Sequence, residues 1–301
     1  MKIFITGGTG FIGQALVKEL QEAGHDLCVL TRSARKRQDL DKRISLIEGD
    51  PSLSGSWQEE ASKSGAIINL AGASIFSRWN KTVKQNILES RVSITRNLVE
   101  AMAASRKRPQ VLLNASAVGY YGFRGNEEID ETGAAGDDFL ARVCQVWEAE
   151  ALKARDAGAR VALTRFGIVL NQRGGALKQM LPLFRAGLGG RLGKGNQWFS
   201  WIHLTDLVRA ITFVLDRTEA DGPINLTAPN PVTNAEMTRA LSQTLHRPAI
   251  LPVPGFMMRL VLGEFGSVLL KGQRIKPVKL QTLGFNFQFP LIKQALADLL
   301  T

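Results

Sequence analysis

Cysteine, tyrosine and histidine are scarce in this chain of 301 residues, which has two, two and three of them. Two cysteines, Cys28 and Cys144, cannot build a disulfide framework, and a core of this size needs none. No secretory apolar stretch follows Met1, so a reducing, cytoplasmic setting is expected. No run of about 18 uncharged apolar residues exists, which leaves no membrane span to expect. The nearest approach, residues 256–270, is interrupted by Arg259 and Glu264. It reads as one helix burying most of its surface in a core or a dimer interface. No His/Cys/carboxylate spacing suits a metal ion. Internal repeats and low-complexity segments are absent too.

Positive charge, by contrast, is plentiful: the formal net charge is +11. Basic residues gather at Arg32, Arg35, Lys36 and Arg37, and again at Arg106, Lys107 and Arg108. Such a surface concentrates anions near it. No helix-turn-helix, zinc-finger or RNP pattern accompanies the charge, so nucleic acid is not the expected partner. With 45% hydrophobic and 22% charged residues the composition is that of an ordinary globular protein.

The first half alternates short apolar runs with stretches of helical spacing. Residues 2–6, 27–31, 44–48, 66–70, 111–114 and 160–166 read as strands. Residues 11–23, 82–104 and about 138–157 read as helices. Strands alternating with helices predict an α/β fold, a doubly wound, mostly parallel sheet of the Rossmann type. Residues 1–170 form that domain, joined by a returning strand near 223–227. Residues 171–301 read as a smaller C-terminal substrate domain, with helices at 205–215 and at 234–245, the latter capped by Thr233.

The first strand runs into Gly7-Gly-Thr9-Gly10-Phe11-Ile12-Gly13 and then a helix. Glycines at this spacing on a strand-to-helix turn are the dinucleotide-binding fingerprint. Gly7 permits the tight turn, Gly10 lets backbone approach a pyrophosphate, and Gly13 lets helix and strand pack closely. Free amides at the helix start then hold the anion. At the end of the second strand an NAD reader carries Asp or Glu for the ribose hydroxyl. Here stand Thr31, Arg32 and, shortly after, Arg35. A carboxylate would repel a 2′-phosphate, whereas arginine offers it a fork of donors. NADP(H) is therefore the expected cofactor.

Five ordered motifs carry a family resemblance: Ile5-Thr-Gly-Gly-Thr-Gly-Phe-Ile-Gly13, Asn69-Leu-Ala-Gly72, Ser90-Arg-Val-Ser-Ile-Thr-Arg-Asn-Leu98, Asn114-Ala-Ser-Ala-Val-Gly-Tyr-Tyr-Gly122 and Trp201-Ile-His-Leu-Thr-Asp206. The chain resembles the extended short-chain dehydrogenases/reductases, and more closely their atypical, NADP-binding branch of epimerase/dehydratase-like "epimerase family" proteins. The resemblance implies that Leu70, Ala71 and Gly72 line the adenosine and ribose, and that Asn86 and Arg91 on the long helix face the cofactor. It implies that Val169 meets the nicotinamide amide, and that Ser116 orients a substrate carbonyl or alcohol. Taken alone, Arg91 reads equally as a helix-surface residue and Ser116 as a turn former.

The catalytic pattern of that family is broken. Active relatives carry Tyr-x-x-x-Lys on the fifth helix, where the ammonium lowers the phenol pKa. Those two positions hold Leu140 and Cys144 here, and the only tyrosines are Tyr120 and Tyr121, beside Ser116. Substitute proton carriers are Tyr120 or Tyr121, which read otherwise as packing aromatics, and Cys144, which reads otherwise as an inert buried thiol. His203, three residues before Asp206, is either half of an acid/base pair or a helix cap. Glu148 and Glu150 are expected on different sides of their helix, in solvent. Trp198, Phe199 and Trp201 with Arg191 and Lys194 form either an aromatic, basic lip for a sugar nucleotide or a core cluster. Two functions stay open: an NADP-dependent epimerase, dehydratase or reductase, or a non-catalytic NADP(H) sensor or scaffold. A homodimer through the two long helices is implied by the resemblance.

Overall fold

The computed structural model describes residues 1–33, 44–104 and 111–300. Seven strands form its central sheet: β1 (Lys2–Thr6), β2 (Asp26–Thr31), β3 (Ser45–Glu48), β4 (Ala66–Asn69), β5 (Val111–Ala117), β6 (Arg160–Phe166) and β7 (Gly222–Leu226). Their spatial order is β7-β6-β5-β4-β1-β2-β3, and every neighbouring pair is parallel. The winding direction reverses between β1 and β4, which leaves a crevice at their carboxyl ends. Open α/β sheets hold ligands in such a crevice.

Apolar side chains alternate across the sheet with the period of two that a strand imposes. Ile3 and Ile5 point into one layer, packed with Leu16, Val17 and Leu20 of α1 (Phe11–Glu22) and Ile211 of α6 (Leu204–Asp216). Phe4 points into the other, with Trp57 of α2 (Trp57–Ser62), Leu98 of α3 (Lys81–Ala103) and Ala151 of α4 (Phe139–Leu152). Each leucine so buried contributes roughly 1.5–3 kcal/mol, which outweighs the weak helix propensity of the β-branched residues among them. Asn80 caps α3 by accepting from the Val83 amide, and Asp138 caps α4 by accepting from the Ala141 amide.

After β6 the chain leaves the sheet. Residues Ile168–Asn171 and Trp201–His203 pair in parallel, flanking α5 (Gly175–Arg185), and α6 follows before the chain returns as β7. A third core gathers Leu181, Trp201 and Met237 with Leu296 and Leu299, joining α5, α7 (Asn234–Leu245) and α11 (Ile292–Leu300). Thr233 and Glu236 form a reciprocal capping box at the start of α7.

The apolar stretch 256–270 differs from its expected form. It is two helices, α8 (Gly255–Leu262) and α9 (Glu264–Leu269), broken at Gly263 with φ +62°. None of the residues of α8 is buried within the chain; Phe256 and Leu260 are about 70% exposed. A short helix, α10 (Val278–Thr282), lies beside β7. Among the described residues no helix is long and apolar enough to cross a membrane.

Candidate functional site

The loop between β1 and α1 is shaped by its glycines. Gly7 sits at φ +71°, and its carbonyl accepts from the Gly10 amide at 2.9 Å, closing a tight turn. A Cβ on Gly13 would lie 2.2 Å from the Gly7 oxygen and 2.6 Å from the Gly8 Cα, both backbone atoms that cannot yield. Gly10 is exposed and is the N-cap of α1, and no side chain caps the helix there. The amides opening α1 are thus left to an external acceptor, at the positive end of the helix dipole. Thr9, Phe11 and Ile12 are half-buried around the loop, and the Phe11 ring covers Gly174 so closely that a Cβ there would meet it at 2.5 Å. The cradle fits a phosphate group and leaves no room for side chains.

The two walls of the crevice differ. On the β2 side Thr31 is buried and Arg32 is exposed, with the Ser33 amide donating to the Thr31 hydroxyl. Arg35 lies outside the described residues. On the β4 side a Cβ on Gly7 would lie 2.8 Å from the Leu70 carbonyl carbon and 2.9 Å from the Ala71 amide, so loop and wall touch. Beneath them, Asn69 accepts from the Thr6 hydroxyl at 2.6 Å and donates to Asn114 at 2.7 Å and Thr95 at 3.0 Å. Thr95 in turn accepts from the Trp147 indole at 2.9 Å. This buried chain ties β1, β4 and β5 to α3 and α4. Gly72 is exposed, and the Arg91 guanidinium lies on it. Asn86 is exposed on α3, and Val169 is packed in the first core opposite Ile202.

Beyond β5 lies a cluster of polar side chains that is almost wholly buried. The Glu148 carboxylate receives two bonds from Arg165, from Nε at 2.8 Å and from a terminal nitrogen at 2.7 Å. Ser116 donates to the same carboxylate at 2.6 Å. Arg165 also donates to the Tyr121 hydroxyl at 2.8 Å, which donates onward to Asn225 of β7 at 2.7 Å. The Tyr120 ring covers the guanidinium, 3.5 Å from its centre. Burial opposes the Arg165 charge, but the bonds to Glu148 outweigh that and hold it protonated.

This geometry corrects one expectation and bears on the readings left open. Glu148 and Glu150 are not in solvent: they are 4% and 6% exposed, because Arg165 on one side and Lys153 and Arg96 on the other give their charges partners. Tyr121 does not present its hydroxyl to a substrate; it is fully buried, and burial pushes its pKa up to about 12. Ser116 is 3% exposed and its proton is committed to Glu148. Burial pushes the Cys144 thiol up to about 11, far from a reactive thiolate. His203 caps α6, its Nδ1 accepting from the Thr205 amide at 3.1 Å. Its other nitrogen faces Asp298 at 3.2 Å, without hydrogen-bond alignment, and burial lowers its pKa. Asp206 is no partner to it, since its carboxylate accepts the Gln288 and Phe289 amides. Trp201 is a core residue, fully buried, whereas Trp198 stays near the surface beneath Arg274.

The Glu148–Arg165 pair went unrecognised in the sequence, although a signal was there. Arg165 lies at a buried position of an interior strand, after the apolar run 161–163, and a charge in such a place requires a buried partner.

Residues 3–227 match the NAD dependent epimerase/dehydratase family, and residues 253–299 match a domain of unknown function, DUF1731. The chain is 43% identical to the chloroplastic epimerase family protein SDR39U1 homolog of Arabidopsis thaliana, over 98% of this chain and 86% of that one. It is 39% identical to epimerase family protein MW0731 of Staphylococcus aureus, over 98% of both. Among solved structures, human epimerase family protein SDR39U1, crystallised with NADPH, is 33% identical with a TM-score of 0.88, covering 99% of each chain. A nucleoside-diphosphate sugar epimerase of Corynebacterium glutamicum is 35% identical with a TM-score of 0.79, over all of this chain and 58% of that one. With one family spanning the whole sheet and the phosphate cradle in place at its crevice, the chain belongs to the NAD dependent epimerase/dehydratase family.

Proposed function

We propose that this chain binds NADP(H) and carries out oxidation–reduction of the epimerase, dehydratase or reductase kind on a small substrate. The observation that carries the reading is the Gly7–Gly10–Gly13 cradle, where a Cβ on Gly13 would lie only 2.2 Å from the Gly7 oxygen, so no side chain fits. NADP(H) is favoured over NAD(H) because Thr31 ends β2 and Arg32 and Ser33 follow it without a carboxylate. The human relative's crystallisation with NADPH supports the same choice, and the name of the Corynebacterium relative supports a nucleoside-diphosphate sugar as substrate class. The dinucleotide, when bound, supplies or accepts the hydride. The chain contributes orientation: amides for the pyrophosphate, Arg32 for the 2′-phosphate, and the Ser116 end of β5 as the wall on which a substrate would rest.

Calorimetric titration with NADPH and NADH tests the cofactor. NADPH is expected to bind more tightly, and Arg32→Ala to narrow the difference by roughly tenfold, the worth of one charge-assisted contact. Equal affinities in the unaltered protein overturn the assignment.

A second reading, a non-catalytic NADP(H) sensor or scaffold, is favoured by one observation. The Ser116 and Tyr121 hydroxyls both donate inward, to Glu148 and Asn225, so neither has a proton free for a substrate. Cofactor turnover on a panel of carbonyl compounds and sugar nucleotides supports the enzyme. Different thermal stabilisation by NADP⁺ and NADPH without turnover supports the sensor.

A further inference from the structure

We propose that the outer face of α8 is a docking surface for an anionic phospholipid bilayer, on which the chain lies without crossing it. Phe256, Met257, Leu260 and Val261 are all exposed. At i, i+1, i+4 and i+5 they share one side of the helix. The opposite side is the one that packs. Leu262 joins the cluster of Trp79 and Phe265, and a Cβ on Gly266 of α9 would run into the Met258 carbonyl. A surface helix ordinarily turns its polar residues outward. Here the apolar side is turned out, and a patch of that kind marks an interaction surface.

The strip continues beyond the helix at both ends. Just before α8, the Val253 carbonyl accepts from the Gly193 amide and the Val253 amide donates to the Arg191 carbonyl, both at 2.9 Å. This pairing sets the exposed Leu251, Arg191 and Lys194 beside the entry to α8. At the other end Arg78 lies against the turn between α8 and α9, where a Cβ on Gly263 would be 3.6 Å from its Cγ.

Charge identifies the occupant. Residues 186–195 and 247–271 hold five basic residues, Arg191, Lys194, Arg247, Arg259 and Lys271, against one acid, Glu264. Glu264 is already matched by Lys84 at 2.8 Å, whereas none of the five cations is in an ion pair among the described residues. Apolar side chains flanked by unpaired cations fit acyl chains beneath negative headgroups. The long basic stems reach the phosphates while Phe256 and Leu260 enter the acyl boundary. A second copy of this chain fits less well, because a two-fold contact would set these cations against one another. With eight residues α8 is far too short to span a bilayer, so the association is with its surface.

Flotation of the full chain with phosphatidylcholine vesicles, with and without phosphatidylglycerol, tests this surface. Binding is expected on the vesicles that contain phosphatidylglycerol, weakly on phosphatidylcholine alone, and is expected to fall as salt rises. Phe256→Ser with Leu260→Ser is expected to lower partitioning at least about tenfold, the worth of burying one large apolar side chain. The melting temperature without vesicles should not fall, because both side chains are exposed in the free chain. Arg191→Gln with Lys194→Gln, which leaves the apolar face intact, is expected to weaken binding roughly thirtyfold, a factor of about five for each cation near the surface. Absence of binding by the unaltered protein to phosphatidylglycerol vesicles overturns the proposal. So does equal binding by the double serine variant, which would reduce the effect to the general attraction of a basic protein to a negative surface. A self-associated species that the serine variant dissociates, without vesicle binding, overturns it as well and assigns the face to a second copy.

Discussion

Removing one member of the Glu148–Arg165 pair is expected to cost far more than removing both. The two side chains are 4% and 3% exposed and share two bonds of 2.8 and 2.7 Å. Glu148→Leu leaves a guanidinium in a buried site facing an apolar side chain. Stranding a charge in this way costs about 3–5 kcal/mol. For a chain of this length, at roughly 2–3 °C per kcal/mol, the melting temperature should fall by roughly 6–15 °C. Arg165→Met strands the carboxylate and should cost about as much. Glu148→Leu with Arg165→Met removes both charges together with their desolvation penalty. Two hydroxyls then lose a partner, Ser116 losing its acceptor and Tyr121 one donor, at about 1 kcal/mol each. The double variant should therefore lie within about 2 kcal/mol of the starting protein, well above either single variant. Urea unfolding of the four proteins, without ligand, measures the cycle. Additive losses, or a loss below about 1 kcal/mol in each single variant, would refute the reasoning.

Gly13→Ala is expected to abolish NADPH binding, since its Cβ would meet backbone at 2.2 Å and push α1 off the loop; titration with retained affinity would count against the cradle. Alkaline stability should follow the buried acids. Cys28 and Cys144 rise from 9.0 to about 11 and Tyr121 from 10.0 to about 12 on folding. Between those values the unfolded chain holds fewer protons than the folded one, so their contribution is complete below about pH 9 and is lost as pH climbs toward 12. A flat unfolding free energy from pH 8.5 to 11 would contradict this burial, as would rapid alkylation of Cys144 at pH 8 without denaturant.

The sheet and the phosphate loop were legible because their signals are local. Apolar runs, helical spacing and three glycines need no knowledge of distant partners, and β6 and the start of α7 fall where they were read. The buried polar cluster was not legible, because it is made by long-range contacts. Glu148 looks like any helix-surface acid until Arg165 and Ser116 are brought to it from β6 and β5. Asn225 meets Tyr121 across 104 positions of sequence. His203 was ambiguous for a different reason, since a helix cap and an acid/base group call for the same residue. The apolar stretch at 256–270 misled because hydrophobicity reports a preference for burial, not which surface provides it. Gly263, which breaks the stretch, was in plain view.

The late return of β7 bears on how the chain is made. Until residues 222–226 emerge, β6 is an edge strand offering unpaired backbone to any passing neighbour. During that interval Tyr121 also lacks its acceptor on Asn225, and Arg160 lacks the carbonyls of Val214, Leu215 and Ala220 that its side chain clasps. A ribosome-bound fragment ending near residue 170 is therefore a sticky, half-closed sheet rather than a finished nucleotide-binding lobe. Closure awaits the last third of the polypeptide.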